Sequence, residues 1–257
     1  MKKQNIWFVI VTYKPDKEVL GRLKTVLEGQ STIIVDNTNN NIGYGAAANQ
    51  GMRQAFSAGA RWVVVCNQDI TFTKHDIAHF FKELEKCPPG IVGPEAGVLD
   101  PKRWTTVLAS RPGLVPDDRL LYISGSMIAI HKDVWQATGG FYEPYFMYYE
   151  DVDLSVRARY AGFPLKQISI EGFRHGSSGK NYNSLDPRLR GDDKQAKEYY
   201  LARNHLLFVR RLAPVSVKLH ELVRLLKTII EHSQIGNIDA MRGISDFSVG
   251  RLGRRIT

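Results

Sequence analysis

The sequence predicts an α/β fold, a mixed but mainly parallel sheet flanked by helices, and three observations carry that prediction. Two short, continuous apolar runs rich in β-branched residues, Ile6 to Val11 and Trp62 to Cys66, end in turn residues as strands buried on both faces do, and Thr32 to Val35 reads as a strand between them. The stretches between them have helical spacing or composition, so the order strand, helix, strand, helix, strand implies right-handed crossovers. With 257 residues, 43% of them hydrophobic and 24% charged, the chain has apolar material for such a core, which excludes a disordered or collagen-like chain.

Each element follows from its own residues. After Ile6 to Val11 comes the turn Thr12-Tyr13-Lys14-Pro15. Asp16 is then an N-cap candidate for a helix in which Val19, Leu20, Leu23, Val26 and Leu27 recur at helical spacing until Gly29. Asp36 to Gly45 is a polar loop rich in Asn and Gly. Ala46 to Phe56 has helix-forming composition, with Ala48, Met52, Ala55 and Phe56 available to pack inward. Asn67-Gln68-Asp69 closes the third strand.

A second half begins after loops around Pro88-Pro89-Gly90 and Arg111 to Asp118. Leu121 to Ile130 reads as one strand interrupted at Ser124-Gly125-Ser126, where small residues admit close approach. Gly139-Gly140-Phe141 is a turn, and the aromatic stretch Phe141 to Tyr149 leads into Glu150-Asp151-Val152-Asp153 and a helix to Tyr160, closed by Gly162. Gln167 to Ile170 reads as a strand ahead of His175, and Gly176 to Asp193 as a mobile loop. From Val215 the pattern is an amphipathic helix, with Val215, Leu219, Leu222, Leu226 and Ile229 on one side and Lys218, Glu221, Arg224 and Lys227 on another. The chain therefore divides into a sheet domain, 1–212, and a basic helical extension, 213–257.

Thirty-five Lys and Arg against 26 Asp and Glu give a net charge of +9, which favours an anionic partner: nucleic acid, acidic lipid or a phosphorylated substrate. Ten of those basic residues, against four acidic ones, lie from Arg203 onward. Such a helix can lie on an anionic membrane, pack on the sheet domain or meet a second subunit in a homodimer, and spacing alone does not choose. The two cysteines, Cys66 and Cys87, have no CxxC spacing, which argues against a disulfide framework or a zinc site. The run from Ile6 to Val11 is too short for the core of a signal peptide, so the reading is a cytoplasmic protein, peripheral at the inner membrane face if the basic helix meets lipid.

In an open parallel sheet, ligands sit beyond the carboxyl ends of the strands. Thr12-Tyr13-Lys14, Asp36-Asn37 and Asn67-Gln68-Asp69 converge on that rim. Asp, Asn and Gly also serve as ordinary turn residues, but three such loops on one rim favour a site. Asn41-Ile42-Gly43-Tyr44-Gly45, followed by Asn49-Gln50-Gly51, offers glycines and a helix N-terminus whose N–H groups an anionic diphosphate could approach, although it lacks the Lys-Ser/Thr of a P-loop. Asp69 is the single acid of its tripeptide and makes a poor metal site alone. Mg²⁺ or Mn²⁺ needs few protein ligands when substrate phosphates complete the octahedron, and His175 is a candidate second ligand or an ordinary polar residue. Glu150 and Asp151 suit capping of their helix by its dipole, and equally suit removal of a proton from a hydroxyl in an aromatic-lined cleft. Asp153 and Arg157, four apart, read as a structural salt bridge.

In order and spacing, Val9-Ile10-Val11-Thr12-Tyr13, Val35-Asp36-Asn37, Asn41 to Gly51, Asn67-Gln68-Asp69, Ser124-Gly125-Ser126, Gly139-Gly140-Phe141, Phe146 to Arg157 and His175 resemble the inverting GT-A glycosyltransferases of family 2, particularly the bacterial rhamnosyltransferase-like branch. The resemblance runs from about Ile6 to Arg211. It implies that Thr12, Tyr13, Asp36 and Asn37 hold the base and ribose of a nucleoside-diphosphate sugar, with Gly45, Asn49 and Asn67 near the nucleotide. It further implies that Asp69 binds Mn²⁺ or Mg²⁺ with His175 as second ligand, and that Asp151 is the general base. Asn67 stands where the family's usual Asp-x-Asp has its first acid. The implied activity is inverting transfer of a sugar, rhamnose from dTDP-rhamnose in this branch, to a hydroxyl of a glycan or lipid-linked acceptor in cell-surface polysaccharide synthesis. The alternatives are a transferase of another hexose or galactofuranose, and a non-catalytic basic nucleic-acid- or membrane-binding protein on a degenerate transferase fold. Retention of Asp69, Asp151 and His175 argues against the latter and against nucleic acid as a partner.

Overall fold

A computed structural model describes residues 5–108, 120–176 and 191–255. Its centre is a six-stranded mixed sheet. β1 (Ile6–Thr12) lies between β2 (Ser31–Asp36) and β3 (Trp62–Asn67), parallel to both, with Thr12 beside Asp36 and Val11 beside Asn67. β9 (Met127–His131) runs antiparallel to both β3 and β5 (Ile91–Gly93), and β10 (Leu165–Gln167) closes the far edge parallel to β5.

β1 and β3 alternate between two cores, as strands covered on both faces must. Phe8, Ile10, Val64 and Cys66 pack on one face with Leu23 and Leu27 of α1 (Lys17–Val26) and its end, and with Ile77, Phe80 and Leu84 of α3 (Lys74–Glu85). Val9, Val11, Val63 and Val65 pack on the other with Ala47, Ala48, Met52 and Ala55 of α2 (Tyr44–Ser57) and Leu154 of α5 (Glu150–Tyr160). α2 can lie this close to β1 because position 51 is glycine: a Cβ there would come within 2.4 Å of Val9 Cγ1. The N-cap expected at Asp16 forms, its carboxylate accepting from the N–H groups of Glu18 and Val19. Cys66 and Cys87 are buried and unpaired.

The second half departs from the sequence reading. Leu121 to Ile130 is two strands in different sheets: β8 (Leu121–Ile123) pairs with β6 (Ala96–Leu99), which also pairs with β7 (Thr106–Leu108), whereas β9 enters the main sheet. Ser124-Gly125-Ser126 is the crossing between them rather than a kink in one strand. The strand expected at Gln167 to Ile170 is instead β10, ending at Gln167, after which Ile168 and Ile170 pack under the first core as irregular chain. α4 (Lys132–Thr138) precedes the expected turn, where Gly139 ends it in the left-handed conformation with φ of 74°. The loop expected at Arg111 to Asp118, and 177–190 of the loop expected at Gly176 to Asp193, lie outside the described residues, whereas Gly191 to Asp193 open a helix instead of ending that loop.

Three further helices follow: α6 (Gly191–Leu212), α7 (Val215–Gln234) and α8 (Ile238–Ser248). α6 buries Leu207 and Phe208 against Tyr145, Tyr149 and Val152. α8 packs so closely on α6 that a Cβ at Gly243 would sit 2.4 Å from the Tyr199 carbonyl oxygen. The tail then returns to the sheet domain, where the Gly253 N–H donates to the Pro144 carbonyl at 2.9 Å.

Candidate active site

The carboxyl ends of β1, β2 and β3 form the expected rim. Tyr13 and Gln68 lock two of its loops together: the Tyr13 N–H donates to Gln68 Oε1 at 2.8 Å, and Gln68 Nε2 donates back to the Tyr13 carbonyl at 2.9 Å. Thr12 is buried and donates toward the Val35 carbonyl at 3.4 Å, and its own carbonyl accepts from the Asn37 N–H at 2.8 Å. The exposed Asp36 carboxylate accepts from the Thr38 N–H at 2.9 Å, and the hydrogen bonds from Thr38 hold its pKa below the usual value. Tyr13, 42% exposed, presents its ring at the rim.

The other loop residues face inward. Asn37 is buried and organises the 37–43 loop, accepting from the Ile42 N–H at 2.9 Å and donating to Asn41 Oδ1 at 3.1 Å. Asn49 clamps α2 to Phe141, accepting its N–H at 2.9 Å and donating to its carbonyl at 2.8 Å. Gly45 allows α2 to approach Phe141 and Glu150, whose Cβ atoms would lie 3.2 and 3.6 Å from a Cβ at position 45.

His175 reaches Asp69 by a device too short to read from sequence. β11 (Arg174–His175) pairs antiparallel with β4 (Ile70–Thr71), setting His175 opposite Ile70, and the Gly176 N–H donates to the Asp69 carbonyl at 3.0 Å. His175 Nε2 lies 3.5 Å from Asp69 Oδ1 and 3.0 Å from Asn67 Nδ2. Nε2 thus faces both the Asn67 amide and the Asp69 carboxylate, and an unprotonated Nε2 is the form that would ligate a cation. Two adjacent ligands of one octahedral Mg²⁺-sized ion lie about 3 Å apart, so the Asp69 and His175 atoms fit a shared cation after a small adjustment. No group of three His, Cys, Asp or Glu side chains suited to a metal occurs among the described residues, so the rest of such a coordination shell would be substrate and water.

Asp151 is held at the N-terminus of α5. Its Oδ2 accepts from the Gly125 N–H at 2.7 Å and its Oδ1 from the Val152 N–H at 2.8 Å, which orients the carboxylate while leaving each oxygen a further lone pair. Burial pushes its pKa up, against the pull of those N–H donors. Glu150 is more deeply buried, and its Oε2 has no hydrogen-bond partner. Burial, then the Asp151 charge, pushes Glu150 up to about 8.

Tyr44, the first residue of α2, joins the two halves of the site, a role the sequence reading missed. Its hydroxyl donates to the Gly125 carbonyl at 2.9 Å. Burial, and then the charges of Cys66, Glu150, Asp151 and Asp69, keep that hydroxyl protonated. Gly125 thus touches Tyr44 and Asp151, while the Ser126 carbonyl accepts from the Asn67 N–H at 2.9 Å, so one turn links the base candidate to the metal-ligand candidates.

The loop carrying the acids is strained and externally gripped. Phe146, Tyr148 and Tyr149 have φ of 66°, 66° and 75°, in the left-handed region that side chains disfavour. Asn204 of α6 donates to the carbonyls of Tyr145, Met147 and Tyr148 at 3.0, 2.7 and 3.0 Å, and the fully buried Arg203 donates to those of Tyr145 and Gly253. Asp153, also fully buried, accepts from Tyr145, Arg157 and Arg211, so the expected Asp153–Arg157 bridge is part of a four-residue cluster.

The model of glycosyl transferase family 2 matches residues 15–152, more than half of the chain. Over 163 residues the chain is 32% identical to the N-acetylglucosaminyl-diphospho-decaprenol L-rhamnosyltransferase of Mycobacterium tuberculosis, covering 49% of this chain and 53% of that protein. It is 23% identical over 201 residues to the low-salt glycan biosynthesis hexosyltransferase Agl10 of Haloferax volcanii, covering 63% of this chain and 64% of that one. The chain thus spans about half the length of the first relative and under two thirds of the second. Among solved structures, the mannosyltransferase of Pyrobaculum calidifontis in complex with GDP-Man and Mn²⁺ superposes with a TM-score of 0.53 at 12% identity, over 96% of this chain and 76% of that one, a likeness of fold. With its mixed, mainly parallel sheet, flanking helices and helical C-terminal region the chain has the GT-A fold, and it belongs to glycosyl transferase family 2.

Proposed function

We propose that the chain is an inverting glycosyltransferase that moves a sugar from a nucleoside-diphosphate sugar to a hydroxyl of a glycan or lipid-linked glycan, with dTDP-rhamnose as donor. One observation carries the reading: the Asp69–His175 pair and the Asp151 carboxylate are tied to one another through Asn67 and the Ser124-Gly125-Ser126 turn. A metal-ligand pair and a positioned base on one rim suit a displacement in which diphosphate leaves as a hydroxyl attacks.

In this reading Tyr13 and Asp36 receive the nucleoside, while Thr12, Asn37, Gly45 and Asn49 hold the loops in shape. Asp69 and His175 would hold Mn²⁺ or Mg²⁺, with Asn67 beside them, and the ion would neutralise charge on the donor diphosphate. Asp151 accepts the proton of the acceptor hydroxyl, and its raised pKa brings it nearer the working pH, as general-base catalysis favours. Attack from the face opposite the diphosphate inverts the anomeric carbon. The mycobacterial relative's name supports rhamnose and a lipid-linked acceptor, whereas the haloarchaeal relative's name supports another hexose as the second reading.

Calorimetric titration of dTDP-, UDP- and GDP-sugars into the full chain, with and without Mn²⁺, tests this. The expected result is that dTDP-rhamnose binds, at least about tenfold more tightly with Mn²⁺, and that Asp69→Ala or His175→Ala abolishes the metal-dependent gain. Preference for another nucleotide sugar selects the second reading. Binding indifferent to Mn²⁺ and to both substitutions removes the pair from the donor site.

A further inference from the structure

We propose that the outward face of α7 is a docking surface for an anionic lipid bilayer. At 3.6 residues per turn, Val215, Leu219, Leu222, Val223, Leu226 and Ile230 share one stripe about 100° wide. Such a stripe ordinarily faces a core. Here it faces away from it, and the six side chains are between 55% and 78% exposed. α7 packs on the rest of the molecule through a different side, burying Val217 and Glu221, with Glu221 Oε1 3.4 Å from His205 Nε2. Ile235 and Ile238, 73% and 61% exposed, extend the apolar surface past the helix end. A contiguous row of this kind differs from the scattered exposed leucines of an ordinary surface and marks an interaction site.

The charges bordering the stripe select the partner. On the same helical projection Lys218 lies along one border and Lys227 and His220 along the other, with Arg224 behind them. The one acid on these borders, Glu231, is 3.7 Å from Lys227 and paired with it. Two copies packed stripe to stripe would therefore set basic borders against each other with no acidic row to answer them. Anionic headgroups supply that complement. No described helix is long and apolar enough to cross a membrane. The helix lies along the interface, with its leucines among the acyl chains and its lysines at the headgroups. The proposal is independent of the transferase reading, because a vesicle is bound whether or not a sugar is transferred.

The test sediments the full chain with phosphatidylcholine vesicles, with and without about 30% phosphatidylglycerol. The wild-type chain is expected to pellet with the anionic vesicles and to be released by high salt. Leu222→Glu/Leu226→Glu, at exposed positions and with an unchanged circular dichroism spectrum, is expected to lower the vesicle partition coefficient at least about tenfold. Failure of the wild-type chain to pellet overturns the proposal, as does equal pelleting of the double variant. A lipid-independent dimer that the double variant dissociates overturns it in favour of a second copy.

Discussion

Glu150 and Asp151 are chemically similar neighbours given different surroundings. Asp151 receives two backbone N–H groups, whereas one oxygen of Glu150 is buried with no partner. A carboxyl whose pKa is raised on folding binds more protons in the folded chain than in the unfolded one, so it lowers stability as pH rises through the window between the two values. For Glu150 that window runs from the ordinary 4.5 to about 8. Glu150→Gln keeps the shape and removes the charge. Urea denaturation is expected to show the variant more stable than wild type at pH 8, by roughly 1–3 kcal/mol, with the advantage gone at pH 4. An equal difference at both pH values would show that Glu150 does not carry this charge penalty.

At the scale of elements, β1, β3, α1, α2, α5 and α7 were legible in the sequence, whereas α3, α6 and α8, though long, and the two-residue strands were not. β1 and β3 were readable as continuous apolar runs ended by turn residues, α1 from its helical spacing, and α5 from the acids that open it and the Gly162 that closes it. β4 and β11, two residues each, have no period to read, yet they bring His175 to Asp69. Their partnership is set by tertiary packing, so His175 was recognisable by family resemblance and not by spacing. Ser124-Gly125-Ser126 was visible as an interruption, but only the structure shows that it separates two sheets and carries both the Gly125 N–H and the Ser126 carbonyl to the site. The apolar side of α7 was readable too. Its outward orientation was not, because periodicity reports that a face exists and not what covers it.

The grip of α6 on the aromatic loop is likewise an element-scale property. Three non-glycine residues held at positive φ each cost on the order of 1–2 kcal/mol, and the bonds from Arg203 and Asn204 to the carbonyls of Tyr145, Met147 and Tyr148, within and beside that stretch, offset that cost. Asn204→Ala takes the amide donor from the part-buried carbonyls of Met147 and Tyr148 and leaves that of Tyr145 to Arg203 alone, and is expected to destabilise the fold by roughly 1–3 kcal/mol. Because that loop ends at Glu150-Asp151, the same variant is expected to lower kcat while leaving the donor KM near wild type. A fall in stability with kcat unchanged would confine Asn204 to holding the fold.

For the whole molecule, the candidate site is assembled from distant parts of the chain: a rim from the first sheet strands, a histidine from residue 175, the proposed base from α5, and a clamp from α6 that the returning tail also touches. Anionic chemistry runs through the account, from donor diphosphate to lipid headgroup, and the net charge of +9 suits both. The central claim is that Asp151 is the base of a transferase whose donor site is built separately around Asp69 and His175. The direct measurement compares sugar transfer to a polyprenyl-linked acceptor with donor affinity, for wild type and Asp151→Asn. Transfer is expected to fall by about 10²–10⁴-fold with the donor Kd unchanged. Turnover at the wild-type rate in that variant would contradict the claim.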